Sequence, residues 1–210
     1  MNKTGVVFAC MLLLAGGSEG VTNDPAPDEA APVGQVTSRS TGMMAKAAAL
    51  MAERKWDSAA DLYRQILKVY PDDVKSACGL GTSLLQLKHY REALDVFVPL
   101  QAKLPDDPTL KNNIAWIYAT CGDPALRNVD EAVKLARQAT LAMPNDPNIW
   151  NTLAEAHYAA AEYDMAFRTA RISLQLAQDL SPLRASEFWE TVRRCSKAAE
   201  AGKALVPQEP

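Results

Sequence analysis

The sequence predicts an all-α fold, a solenoid of stacked antiparallel helix pairs ended by a capping helix, on three grounds. Ala59, Tyr63, Ile66 and Pro71 recur after about 34 residues as Ala93, Phe97, Leu100 and Pro105. About 39 residues further they return as Ala132, Ala136, Ala139 and Pro144, and roughly 34 beyond that as Ala166, Ala170 and Ser173 without the proline. The first half of each unit keeps the same beat at Ala47, Gly81, Ala115 and Ala154, with Leu80, Ile114 and Leu153 standing just before the last three. A unit this short cannot bury its own apolar face, so neighbouring copies must bury it.

Composition agrees with a folded chain. At 210 residues, 48% hydrophobic and 22% charged, it can close a sizeable core and is not a disordered polymer. A net charge of -3 without Lys/Arg blocks argues against nucleic acid, which needs a basic footprint.

Residues 1–20 read as a secretory signal peptide: Lys3 in a short start, an apolar run over residues 5–15, then Gly16, Gly17 and Ser18 as the small residues of a cleavage site. The run is too short for a stable bilayer-spanning helix, which takes about 20 apolar residues. The alternative is lipid attachment at Cys10, where Val7-Phe-Ala-Cys10 loosely matches a lipobox, although the apolar run continues past it through Leu14. Either way the chain is expected to be exported, to the periplasm or cell envelope if the source is bacterial. Residues 21–40, rich in Pro, Ala and acid and lacking aromatics, read as a disordered tether.

From residue 41 the apolar positions take a helical period, and residues 44–51 carry enough Ala and Leu to favour helix. A turn at 53–55 leads to a second helix over 56–70, ended by Pro71 because the residue before a proline resists helical dihedrals. The second pair covers 74–87 and 90–103; Pro99 inside it removes a donor to the carbonyl of Asp95, so a bend is expected with Pro99 facing outward. The third covers 109–120 and 129–142 around a longer connection, 121–128, which accounts for the stretched interval and costs little because loop closure entropy rises slowly with length. The fourth covers 147–160 and 163–178. Pro182 restarts a final polar helix to about residue 201, with Leu183, Phe188, Trp189 and Val192 as its apolar stripe, and residues 202–210 form a tail.

These units resemble the tetratricopeptide repeat (TPR) family. The likeness lies in the small residue of the first helix, the large residue before it, the Ala of the second helix and the closing prolines, over about residues 40–178. The stretch Asn112-Asn-Ile-Ala-Trp-Ile-Tyr-Ala-Thr-Cys121 is similar to a recurrent bacterial variant. Lys46, where a large apolar residue is usual, and the missing proline of the fourth unit are departures. The resemblance implies a right-handed superhelix of about four repeats (40–73, 74–107, 108–146, 147–180) whose first helices line a concave groove for a peptide or protein. Carried across in register, the groove positions are Cys78, Thr82 and Leu85; Asn112, Trp116 and Thr120; and Asn151, Glu155 and Tyr158. Asn112 and Asn151 share a repeat position, and a carboxamide offers a donor and an acceptor to an extended backbone, unless they bond locally. Trp116 and Tyr158 serve as aromatic anchors or as packing between repeats. The basic clamp for a C-terminal carboxylate found in the chaperone-binding subclass is not expected, since Met44 and Ala48 stand at its positions in repeat one.

Catalytic readings find little support. His89 sits in a turn, His157 takes a position filled elsewhere by Leu50, Leu84 and Tyr118, and no Cys/His/acid cluster, phosphate loop or nucleophile elbow occurs. No cofactor or metal is expected. Cys78, Cys121 and Cys195 show no CxxC spacing and read as buried apolar side chains. Two functions remain: an exported module binding a protein or peptide in its groove, and a structural subunit of an envelope assembly such as a secretion or pilus apparatus.

Overall fold

The computed structural model of the chain describes residues 33–204. Residues 1–20 with the leader and Cys10, positions 21–32 of the tether and 205–210 of the tail lie outside the described residues. In chain order the helices are α1 (Val33–Ala52), α2 (Trp56–Val69), α3 (Val74–Gln86), α4 (Tyr90–Lys103), α5 (Pro108–Thr120), α6 (Val129–Ala142), α7 (Pro147–Ala159), α8 (Tyr163–Leu180), α9 (Pro182–Ala185) and α10 (Trp189–Ala204). A 3₁₀ turn, Pro124–Leu126, lies in the 121–128 connection. Among the described residues there is no strand, and no helix is long and apolar enough to cross a membrane. The fold is the all-α solenoid of helix pairs that the repeat predicts, each of α1 to α8 packing on the next and both α9 and α10 packing on α8.

The punctuation of each repeat is chemical. Asp73, Asp107 and Asp146 cap α3, α5 and α7, accepting hydrogen bonds from the amides of Ser76 (2.9 Å), Leu110 (2.7 Å) and Asn148 (2.8 Å). Each follows a closing proline by two residues, so a Pro-x-Asp step ends one repeat and starts the next. Within repeats one, two and four the turn runs through a left-handed residue, Arg54 (φ 59°), Lys88 (φ 65°) and Ala161 (φ 59°). Amides of the following residues reach back into the helix, as His89 does to the Leu84 carbonyl at 2.9 Å and Glu162 to that of His157 at 2.9 Å. This is the helix-ending turn that glycine usually occupies, here made by side-chain-bearing residues. Repeat three replaces it with the 121–128 connection.

Tyr63 and Phe97 set the spacing between pairs. A Cβ on Gly79 would stand 2.3 Å from the Tyr63 ring, and one on Gly81 2.4 Å from the Phe97 ring, so both rings lie flat on helix backbone. The buried alanines Ala59, Ala93, Ala132 and Ala166 do the same for the second helices. One core runs from Ala47 through repeats one to three into α7. A second gathers Ala154, Ala166, Ala170, Leu174 and Ala177 with Phe188, Val192 and Cys195 of the C-terminal segment.

Three features differ from the expectation. The first helix starts at Val33 rather than after residue 41, so the tether does not extend to residue 40; no proline follows Pro32 until Pro71, and nothing in 33–41 breaks a helix. α4 runs on through Pro99, which is exposed as expected. The capping helix of 181–201 is two helices, α9 and α10, with a break at 186–188 where the Glu187 and Phe188 amides bond three residues back. That break turns the ring of Phe188 fully into the second core. The apolar stripe shifts accordingly: Leu183 and Trp189 are exposed, while Phe188, Val192, Cys195 and Ala199 are buried. α10 also continues to Ala204, past the expected start of the tail at residue 202.

Candidate functional site

The first helices α3, α5 and α7 carry the candidate residues. Cys78, Thr82, Leu85, Asn112, Asn151 and Glu155 are buried, and Trp116, Thr120 and Tyr158 are half-buried. α5 packs more extensively on α7 than on α3.

The polar members of this set are unusual. Asn112 is 1% exposed and neither Nδ2 nor Oδ1 has a hydrogen-bond partner; Asn151, at the same repeat position on α7, is 2% exposed with an unpartnered Oδ1. The Oγ1 of Thr82 on α3 and Oδ1 of Asn113 are in the same condition. Each such atom is shielded from bulk water and has no protein partner, and an unmade hydrogen bond of this kind costs roughly 1–3 kcal/mol. Local bonding to the preceding loop therefore does not account for Asn112. Trp116, one turn along the same face, packs its ring against the main core. In register, Ala119 rather than Thr120 stands where Leu85 and Tyr158 do; Ala119 is buried, and the Thr120 hydroxyl donates back to the Trp116 carbonyl at 2.7 Å.

Repeat four is closed by the C-terminal helix. Oε1 of Glu155 accepts a short hydrogen bond from Nη2 of Arg194 and a longer one from the Thr191 hydroxyl, 3.4 Å. The Arg194 guanidinium lies over the Tyr158 ring, 4.4 Å from its centroid. Burial opposes the charge of Arg194, but the hydrogen bond and attraction of Glu155 outweigh it and hold the guanidinium pKa above the usual arginine value. Burial, with Glu155 nearby, pushes the adjoining Cys195 thiol up to about 11. Sequence reasoning missed Thr191 and Arg194, which lie 36 and 39 residues from Glu155 in the chain and belong to no repeat position.

Two clefts open away from these positions. One, of about 500 Å³, lies between α4 and the 121–128 connection and includes Arg91, Pro99, Tyr118 and Arg127. The other, of about 430 Å³, lies beside Met44, Ile66 and Tyr70. None of the nine candidate positions lines either.

The chemistry on offer is recognition: carboxamide donors and acceptors, a carboxylate and aromatic faces. His157 is buried with Nδ1 2.5 Å from Glu162, and His89 is exposed with Nδ1 3.4 Å from Glu92. Among the described residues no group of three or more His, Cys, Asp or Glu side chains is placed to hold a metal. Cys78, Cys121 and Cys195 are buried and form no disulfide.

Comparison with known proteins places this geometry. Residues 50–117 match the tetratricopeptide repeat family. A solved structure of a MamA mutant superposes with a TM-score of 0.60 at 17% identity, covering 82% of this chain and 94% of that one. A thermophilic TPR protein of Thermus thermophilus gives 0.55 at 16% identity, over 76% and 98% of the two chains. MamA from Desulfovibrio magneticus RS-1 gives 0.56 at 11% identity, over 79% and 96%. These likenesses bear on the fold. In sequence, the chain is 27% identical over 148 residues to the beta-barrel assembly-enhancing protease of Yersinia pestis, a match covering 70% of this chain and 29% of that protein's length.

Proposed function

We propose that this tetratricopeptide-repeat chain is a non-catalytic scaffold that holds an extended segment of a partner protein along its stacked first helices. The observation that carries the reading is the pair Asn112 and Asn151, at one repeat position on adjacent helices, buried with carboxamide atoms that no protein group satisfies. A partner whose backbone N–H and C=O groups reach those atoms supplies the hydrogen bonds that no protein group makes in the free chain. The similarity to the Yersinia pestis protease is read as likeness of the scaffold, since the matched stretch is 29% of that protein. Export to the bacterial envelope, by cleavage of residues 1–20 or by lipidation at Cys10, belongs to the same proposal; the mass of the mature N-terminus tests it.

The binding test is a crosslinked capture from native envelope with the wild type beside a variant carrying Asn112→Ala, Trp116→Ala and Asn151→Ala. A partner held by the wild type and lost by the variant is the expected result; a partner retained equally refutes groove recognition. Retention would favour a structural subunit of an envelope assembly, the second reading.

A further inference from the structure

In repeat four the Arg194 guanidinium sits between the Glu155 carboxylate and the Tyr158 ring. Glu155 stands at the register position of Thr82 and Trp116, so it places a single carboxylate where the other repeats have none. Its side chain is nearly withdrawn from water, and Tyr158, on the same face of α7, supplies an aromatic wall whose ring sits 5.5 Å from that of Tyr163. A carboxylate beside a π-face suits a planar, weakly hydrated cation better than a compact ammonium.

Arg194 fits this setting imperfectly. Its Nε is buried without a partner, while the side chain as a whole keeps one-third of its surface exposed. α10 does not depend on the contact for its seat, because Phe188, Val192 and Cys195 anchor it in the second core. The Arg194 side chain can therefore swing into solvent while the helix stays docked.

We propose that Glu155 and Tyr158 form an arginine-recognition site at the repeat-four end of the groove, occupied in cis by Arg194 and yielded to an arginine of a partner peptide when Arg194 turns outward. The identity of that ligand rests on the groove reading above; the existence of the site does not. A partner arginine at this end would also fix the direction in which a peptide lies along the solenoid.

The test is chemical rescue with N-acetyl-arginine amide on the full-length protein. Arg194→Ala removes the ion pair and leaves the Glu155 carboxylate only the long Thr191 hydrogen bond of 3.4 Å, so its melting temperature is expected to fall. Millimolar arginine derivative should restore it and shift the Tyr158 ring resonances, binding at least tenfold more tightly than to wild type. The lysine analogue should rescue less, and the Glu155→Gln, Arg194→Ala double variant should not respond. An Arg194→Ala protein indifferent to the derivative, or a double variant that responds equally, overturns the site. Where Arg194→Ala does not fold, Arg194→Lys, which keeps a charge beside Glu155, is titrated for the same two outcomes. Rescue without capture of any groove partner would keep this site and refute the groove reading; groove-dependent capture without rescue would do the reverse.

Discussion

Replacing Asn112 with leucine should make the free protein more stable while destroying its proposed function. The carboxamide is 1% exposed, and both of its polar atoms lack partners. At roughly 1–3 kcal/mol for each unsatisfied group, the native side chain carries a cost of about 2–6 kcal/mol that leucine, branched at the same carbon, does not. The methyl groups are bulkier than the amide, and overpacking takes back about 1–3 kcal/mol. From the middle of each range a net gain of about 2 kcal/mol remains. For a domain of this size, where 1 kcal/mol moves the midpoint by roughly 2–4 °C, the melting temperature should rise by about 4–8 °C. Urea unfolding followed by circular dichroism, with thermal melts alongside, measures both quantities, and Asn151→Leu should behave similarly though less strongly. A loss of 1 kcal/mol or more would show that the carboxamide is already paired in the free protein, and the argument for a ligand at that position would fall with it.

Three further outcomes follow from the geometry. Lys88→Gly and Ala161→Gly relieve left-handed backbones at φ 65° and 59° and should each add about 1 kcal/mol in urea unfolding, additively because they sit in separate repeats. Gly81→Ala drives a Cβ to 2.4 Å from the Phe97 ring and should cost about 1–3 kcal/mol, with partial recovery in the Gly81→Ala, Phe97→Leu double variant; an unchanged melt would refute the close-approach account. Burial holds the Cys195 thiol near 11 against an ordinary 9.0, so the unfolded chain gives up this proton first as pH rises. Stability from this group is therefore intact below pH 9 and declines toward pH 11, by about 2–3 kcal/mol, and the decline should be absent in Cys195→Ala; the native thiol should also resist alkylation at pH 8.

The repeat itself was legible because it is written in local chemistry. Pro-x-Asp steps, small residues where helices cross and alanines at a fixed interval are each set by neighbours a few residues away, so α2, α4 and α6 begin where periodicity and turn residues place them. Helix starts without such punctuation were harder: α1 begins at Val33 in a stretch whose composition resembled the tether before it. The candidate site was legible in register and not in environment. That Asn112 and Asn151 occupy one repeat position follows from spacing, whereas their lack of any partner depends on how closely α5 approaches α7, which no count of residues gives.

Sequence alone determined the all-α repeat, its number of helix pairs and the faces those pairs bury, because periodic apolar residues leave a short unit no other way to shed water. Tertiary structure alone decided what happens at the open end. Phe188 enters the second core only because the helix breaks before it, and that docking carries Arg194 onto Glu155 and Tyr158 across 39 residues of chain. The physical reason is reach: helix propensity and capping act within a turn or two, while a partly buried ion pair between distant segments exists only once the packing that brings them together has formed.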